Sequence, residues 1–205
     1  SLDHRWRSQV AKRLVEEAGN RQVIVFTHDL VFVNDLNDYA TKTGRKVRLT
    51  TLSRGAGGAG MVAEGLPWKA QSVEDRLDKL EKAARAAKLL HENNQEEEYA
   101  VEVSRLYNSL RATWERGLED IAFVRVIQRH RDYISAKDLK KVSVLTEADC
   151  DAFAAGFKKC CDIVDAHDPS SGRNAAPPPP TDLFGDIQAL KDWAASLRTR
   201  QKKIA

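Results

Sequence analysis

The sequence predicts an α/β section followed by an all-α section, and three observations carry that prediction. QVIVF (Gln22–Phe26) lies between two stretches of helical periodicity and is continuously apolar after its first residue. That pattern belongs to a strand whose sheet is covered by helices on both faces. A second run, KVRLTTLSR (Lys46–Arg54), alternates through Val47, Leu49 and Thr51, and strand, helix, strand at this spacing predicts a parallel crossover. From Ser72 onward the apolar residues recur at helical spacing.

Taken in order, HRWRSQVAKRLVEEAG (His4–Gly19) places Trp6, Val10, Leu14 and Ala18 four apart, which predicts a helix closed by Gly19-Asn20. After the QVIVF strand, DLVFVNDLNDYATKTG predicts a second helix ending near Gly44. RGAGGAGMVAEGLPW (Arg54–Trp68) reads as a flexible connector. It has no Lys-Ser/Thr after its glycines and so is not a phosphate-cradling loop. Ser72 caps a helix with Asp75 three residues on, and Val73, Leu77, Leu80, Ala84 and Ala87 form its apolar face. ENNQ breaks it. A longer helix is then expected from about Glu96 to His130, with Tyr99, Val103, Leu106, Leu110, Trp114, Leu118 and Ile121 in phase, folding back on its predecessor as an antiparallel pair. A further helix spans about Glu147–Ala166 after Thr146. DPSSGRNAAPPPPT is a linker stiffened by four prolines, and Thr181 caps a last amphipathic helix through Leu183, Ile187, Leu190, Trp193 and Leu197. The expected division is therefore 1–67 (α/β), 68–167 (helical), 168–181 (linker) and 182–205 (terminal helix).

Composition narrows the function classes. Basic residues number 33 against 30 acidic ones, so the net charge of +3 does not by itself argue for nucleic acid. No apolar run approaches the ~20 residues that span a bilayer, which predicts a cytoplasmic protein that does not enter membranes. Cys150, Cys160 and Cys161 are odd in number and lie in helical sequence, which argues for reduced thiols rather than a disulfide or zinc framework. No His-x-x-x-His, Cys-x-x-Cys or carboxylate cluster specifies a metal. Trp6, Trp68, Trp114 and Trp193 read as packing anchors. The chain begins at Ser1 inside what looks like a motif, and a fragment of a longer protein is expected.

The chemistry concentrates at Thr27-His28-Asp29, at the carboxyl end of the QVIVF strand, where open α/β sheets bind ligands. An imidazole there can donate a hydrogen bond to an anionic oxygen such as a terminal phosphate. Satisfaction of the ring by nearby backbone is the alternative.

SLDH, a helix of about fifteen residues, and RQVIVFTHDLVF together resemble the end of an ABC-type, P-loop ATPase head. The likeness is to the SMC/RecF/RecN-like group and the AAA-family ATPases of phage defence, and it covers about the first 35 residues. The resemblance matches Ser1, Leu2 and Asp3 to the D-loop and His28 to the switch histidine of the H-loop. It implies a homodimer of heads that sandwiches ATP with Mg, acts on nucleic acid in DNA repair or phage defence, and uses His28 at the γ-phosphate. Asp3 would stand at the dimer interface, with Thr27 and Asp29 bordering the nucleotide. The Walker A and Walker B segments are missing from this sequence, so the chain alone is expected to be inactive.

A second constellation is LRATWERGLED, which sets Arg111 and Glu115 four apart on one helix face. A surface ion pair is the structural reading. ATPases of the anticodon-nuclease kind carry an Arg-x-x-x-Glu pair with a downstream histidine. That resemblance implies metal-free RNA cleavage by Arg111 and Glu115 with His130 or His167. RVIQRHRD also brings Arg125 and Arg129 within reach of a phosphate backbone. A dimerisation or nucleic-acid-binding module is the non-catalytic expectation for the helical section.

Overall fold

A computed structural model describes residues 4–55, 58–129, 134, 136–166 and 176–204, and the chain divides into two units, Ser1–Gln71 and Ser72–Ala205. In the first unit, α1 (His4–Glu17) packs on α2 (Leu30–Lys42). Ala11 and Val15 of α1 and Phe32 and Ala40 of α2 are buried, and Ser8 Oγ meets Tyr39 Oη at 3.0 Å. The buried stripe thus lies one residue beyond the expected one. Trp6 is 63% exposed and anchors no core.

The expected parallel sheet is not what the first unit contains. Gln22–Asp29 has no regular secondary structure. The second expected strand starts late, as β1 (Thr50–Gly55), and pairs antiparallel with β2 (Gly58–Glu64), inside the segment read as a connector. The glycines that suggested a loop instead build the hairpin. Register shifts between Ser53, opposite Met61, and Arg54, opposite Ala59, so Gly60 is the extra residue of a bulge. Its φ of +89° is one that glycine adopts without steric cost.

The second unit is a helical bundle of α3 (Val73–Glu92), α4 (Glu96–Gly117), α6 (Glu147–Ala166) and α7 (Pro180–Gln201), with one short turn of helix, α5 (Leu139–Val142). Ser72 caps α3, its Oγ accepting from Asp75 N at 3.1 Å, and the five expected apolar residues of α3 are all buried. The last helix starts at Pro180 rather than after Thr181, because proline at the first helical position has no amide to leave unpaired.

Side-chain contacts fix the helix directions. Tyr99 donates to Pro178 O at 2.7 Å, Tyr107 donates to Asp186 at 2.7 Å, and Gln201 Nε2 donates to Ile121 O at 2.7 Å. Successive α4 positions therefore meet successive α7 positions, and the two helices run parallel. Arg76 against Ala112 O, and Trp193 Nε1 against Asp149 O, set α3 and α6 antiparallel to them. The C-terminal ends of α4 and α7 consequently share one end of the bundle.

At its centre Trp114 packs against Trp193 and Phe153, with ring centroids 5.3 and 5.8 Å away. Two glycines make room for the indoles. A Cβ on Gly117 would stand 3.0 Å from Trp193, and one on Gly156 would stand 2.5 Å from Trp114.

The expected long helix to His130 is not formed. After Gly117 the chain makes a π-helical turn (Leu118–Ala122), and Val124 and Arg125 then adopt φ of +47° and +58°. Residues 123–129 are not helical. A β-branched residue in the left-handed region is strained, so the turn is held from outside itself. Gln201 does part of that by bonding Ile121 O.

The packing makes a paired prediction. Gly156→Ala should destabilise the protein by about 1–2 kcal/mol, because overpacking against the buried indole outweighs the helix-propensity gain. Gly185→Ala, with open space around its Cβ, should stabilise it by roughly 0.5–1 kcal/mol. Urea unfolding of both variants checks the contrast.

Candidate functional site

Two places hold the candidate residues, one in each unit. In the first unit, Thr27-His28-Asp29 forms the N-terminal turn of α2. Asp29 is the N-cap: its Oδ1 accepts from Val31 N at 2.9 Å and Phe32 N at 3.2 Å. Its Oδ2 pairs with Arg7 Nε at 3.0 Å, tying α2 to α1. Thr27 Oγ1 accepts from Asp29 N at 3.0 Å. Both carboxylate oxygens of Asp29 are thereby engaged, and the residue positions the turn. His28 is exposed and bonded to no described residue. The turn thus presents one imidazole to solvent with its neighbours satisfied, which is a geometry that fits a phosphate oxygen. Ser1, Leu2 and Asp3 lie outside the described residues.

In the second unit the expected pair does not meet. Arg111 donates through NH2 to Asn108 Oδ1 at 3.1 Å, while Glu115 turns to Arg129, Oε2 to NH1, at 3.0 Å. The helix-face argument puts Arg111 and Glu115 side by side, but the end of α4 offers Glu115 a better partner. His130 and His167 lie outside the described residues.

Around the π turn this pair joins a wider network that sequence spacing alone does not expose. Arg116 Nε bonds Asp120 Oδ2 at 2.9 Å, with side chains 11% and 3% exposed. Arg125 Nε approaches Asp120 Oδ1 at 3.3 Å, and Arg129 Nε also bonds Glu119. Arg76, buried beneath, donates to Ala112 O at 2.8 Å. Burial, with the nearby Arg116 charge adding to it, pulls the Arg76 guanidinium down to about 10. The bond from Glu119 raises Arg129 above the ordinary arginine value. Glu115 is the most exposed of the three carboxylates and Asp120 the least. The available clue was the run ERGLED followed by RVIQR. Four charges in the first run and two in the second are spaced for a helix that in fact unwinds, which brings the arginines back onto the carboxylates.

Among the described residues no group of three or more His, Cys, Asp or Glu side chains is arranged to hold a metal ion. Cys160 is buried, and burial pushes its thiol up to about 12, which leaves it inert at neutral pH. Among the described residues no helix is long and apolar enough to cross a membrane. No protein-family model, curated protein or solved structure matches this chain.

The network predicts an asymmetric response. Arg116→Met leaves the nearly buried Asp120 short of its close partner and should cost about 3 kcal/mol, whereas Arg125→Ala, at a half-exposed position, should cost under about 1 kcal/mol. Equal losses in denaturant unfolding would contradict the buried placement of Asp120.

Proposed function

We propose that residues 1–67 are the C-terminal part of an ABC-type ATPase head that acts on nucleic acid, and that the helical unit is an appended domain. One observation carries this reading. Ile24 is 69% and Phe26 85% exposed, in a segment whose sequence is that of an interior strand. Burying such side chains stabilises by roughly 1.5–3 kcal/mol each, so leaving a run of them in water is costly. A larger sheet into which QVIVF inserts would cover both faces of the run and would bring His28 to the sheet's carboxyl edge. The exposed Leu52, Met61 and Val62 of the hairpin argue the same way.

In this reading bound ATP, with Mg, supplies the phosphoryl group, and the residues that cradle both belong to segments outside the 205 residues. His28 donates a hydrogen bond to a terminal phosphate oxygen and orients the attacking water. Asp29 holds the turn, with Arg7 fixing its carboxylate. Catalysis of this kind is positioning and charge stabilisation. The resemblance assigns Asp3 to the seam of a homodimer.

A second reading of the helical unit is metal-independent RNA cleavage. It is favoured by Glu115, an accessible carboxylate beside an arginine. In that role Glu115 takes the 2′-hydroxyl proton and Arg129, in place of Arg111, steadies the phosphorane charge. RNA cleavage that Glu115→Gln abolishes would support it. Unchanged RNA would remove it.

The chain alone should not hydrolyse ATP, and robust turnover by it would refute the head reading. In a protein carrying the upstream ATP-binding segments, His28→Ala should lower turnover by at least about 10²-fold with nucleotide affinity nearly unchanged. Because His28 is exposed, the same change should leave the stability of the 205-residue chain within about 0.5 kcal/mol.

A further inference from the structure

The two ends of the helical bundle carry different charge. At the end where α4 and α7 finish, the arginines are consumed by carboxylates. Arg198 pairs with Glu74, Arg200 with Asp149, Arg116 and Arg125 with Asp120, and Arg129 with Glu115 and Glu119. Lys141 is taken by Asp138 at 2.7 Å. Four exposed lysines make no ion pair within 4 Å among the described residues: Lys137 and Lys140 before and in α5, and Lys202 and Lys203 after α7, although, beside the Lys141 bond, the Lys137 charge helps hold Asp138 below the usual carboxylate range. The fold brings these two pairs together, because Arg200 NH1 donates to Val144 O at 3.2 Å, joining the segment after α5 to the last turn of α7. Of the acidic residues at this end, Asp75, Glu147 and Asp151 are exposed without an ion partner among the described residues, and Asp75 accepts a hydrogen bond from Ser72 Oγ at 2.8 Å. The opposite end is acidic, with Glu97 and Glu98 exposed at the start of α4.

We propose that the lysine-bearing end formed by α5 and the C-terminus of α7 binds the phosphodiester backbone of a nucleic acid. A lysine ammonium binds phosphate as a point charge without fixing its orientation. Four of them from two separate segments therefore suit a repeating row of phosphates more than one small anion. No exposed Trp or Phe lies at this end among the described residues, so those residues supply neither base-stacking platforms nor the aromatic anchors of a membrane interface. Binding is accordingly through the backbone, tolerant of sequence and driven by counterion release. Ile127, Ile134 and Leu139 are exposed in the same region, which makes an anionic membrane the competing partner to test. The proposal concerns the nucleic-acid partner of the head reading but rests on the helical unit's own charges.

The test uses the whole 205-residue chain without nucleotide, so failure of the ATPase reading leaves its outcome unchanged. Fluorescence anisotropy follows binding to a labelled 30-base-pair DNA duplex and to a 30-nucleotide single-stranded RNA between 50 and 200 mM salt. Four contacts predict a duplex slope of log K against log salt of about −3 to −4, a loss of about 100-fold across that range. Replacing Lys137, Lys140, Lys202 and Lys203 together by Ala should abolish most of this dependence and weaken binding at 50 mM salt by about the same factor. Replacing Lys46, Lys79, Lys82 and Lys88 removes equal charge elsewhere and should leave affinity within about threefold. Four results would each overturn the proposal. These are no binding to either nucleic acid at 50 mM salt, full binding by the first variant, equal loss in both variants, or binding to phosphatidylserine vesicles alone.

Discussion

The parallel course of α4 and α7 is the constraint on which the helical unit depends. Parallel neighbours cannot be joined by a tight turn, so the chain between them must cross the length of the bundle, and α6 makes that crossing. Three hydrogen bonds hold the register, from Tyr99, Tyr107 and Gln201. Between them the indoles of Trp114 and Trp193 interlock over Gly117 and Gly156. A tyrosine hydroxyl facing a carboxylate in a half-dry interface tolerates little displacement. Burial and the Asp186 bond drive the Tyr107 phenol far above its ordinary pKa, so it remains a donor throughout the physiological range.

From that register the electrostatics follow. The C-termini of α4 and α7, which favour cations, share this end with the N-termini of α3 and α6, which favour carboxylates, so it takes side chains of both signs. The sequence places its basic residues accordingly, from Arg125 to Lys141 and from Arg198 to Lys203. The π turn uses part of this charge for structure. Its carboxylates are clamped by arginines with fixed planar forks, and a strained Val124–Arg125 pair is held in place by that clamp and by Gln201. Lysines, with flexible stems and no such partners, are left facing water. In the first unit the balance differs. A single satisfied aspartate orders the α2 start, while the neighbouring apolar run stays in water.

Much of the helical unit was legible in the sequence because its signals are local. Ser72 with Asp75, the Val73–Ala87 face of α3 and the Leu183–Leu197 stripe of α7 each depend on contacts within a few residues or on one continuous stripe. The early end of α4 was not legible. The apolar phase continues through Ile121, and part of what holds the turn after the helix is a glutamine eighty residues downstream. The hairpin was masked by its glycines, which read as flexibility until the register showed one of them filling a bulge. QVIVF failed differently. A strand is stable only with a partner, and a strong interior-strand pattern says nothing about whether its neighbours belong to the same stretch of chain. Asp29 was identified as a site residue, yet its chemistry is that of a helix cap. Arg111 was paired with Glu115 by spacing, when Arg129 held the stronger geometric claim.

Distance measurements in solution between pairs of spin labels address the shared C-terminal end most directly. Labels at Arg125 and Lys203 should lie within about 20 Å. Labels at Glu98 and Lys203 should be separated by 30 Å or more, since α4 alone rises about 1.5 Å for each of its 22 residues. The reverse order, with position 203 nearer to 98 than to 125, would mean that α7 runs antiparallel to α4, and the basic end would no longer exist.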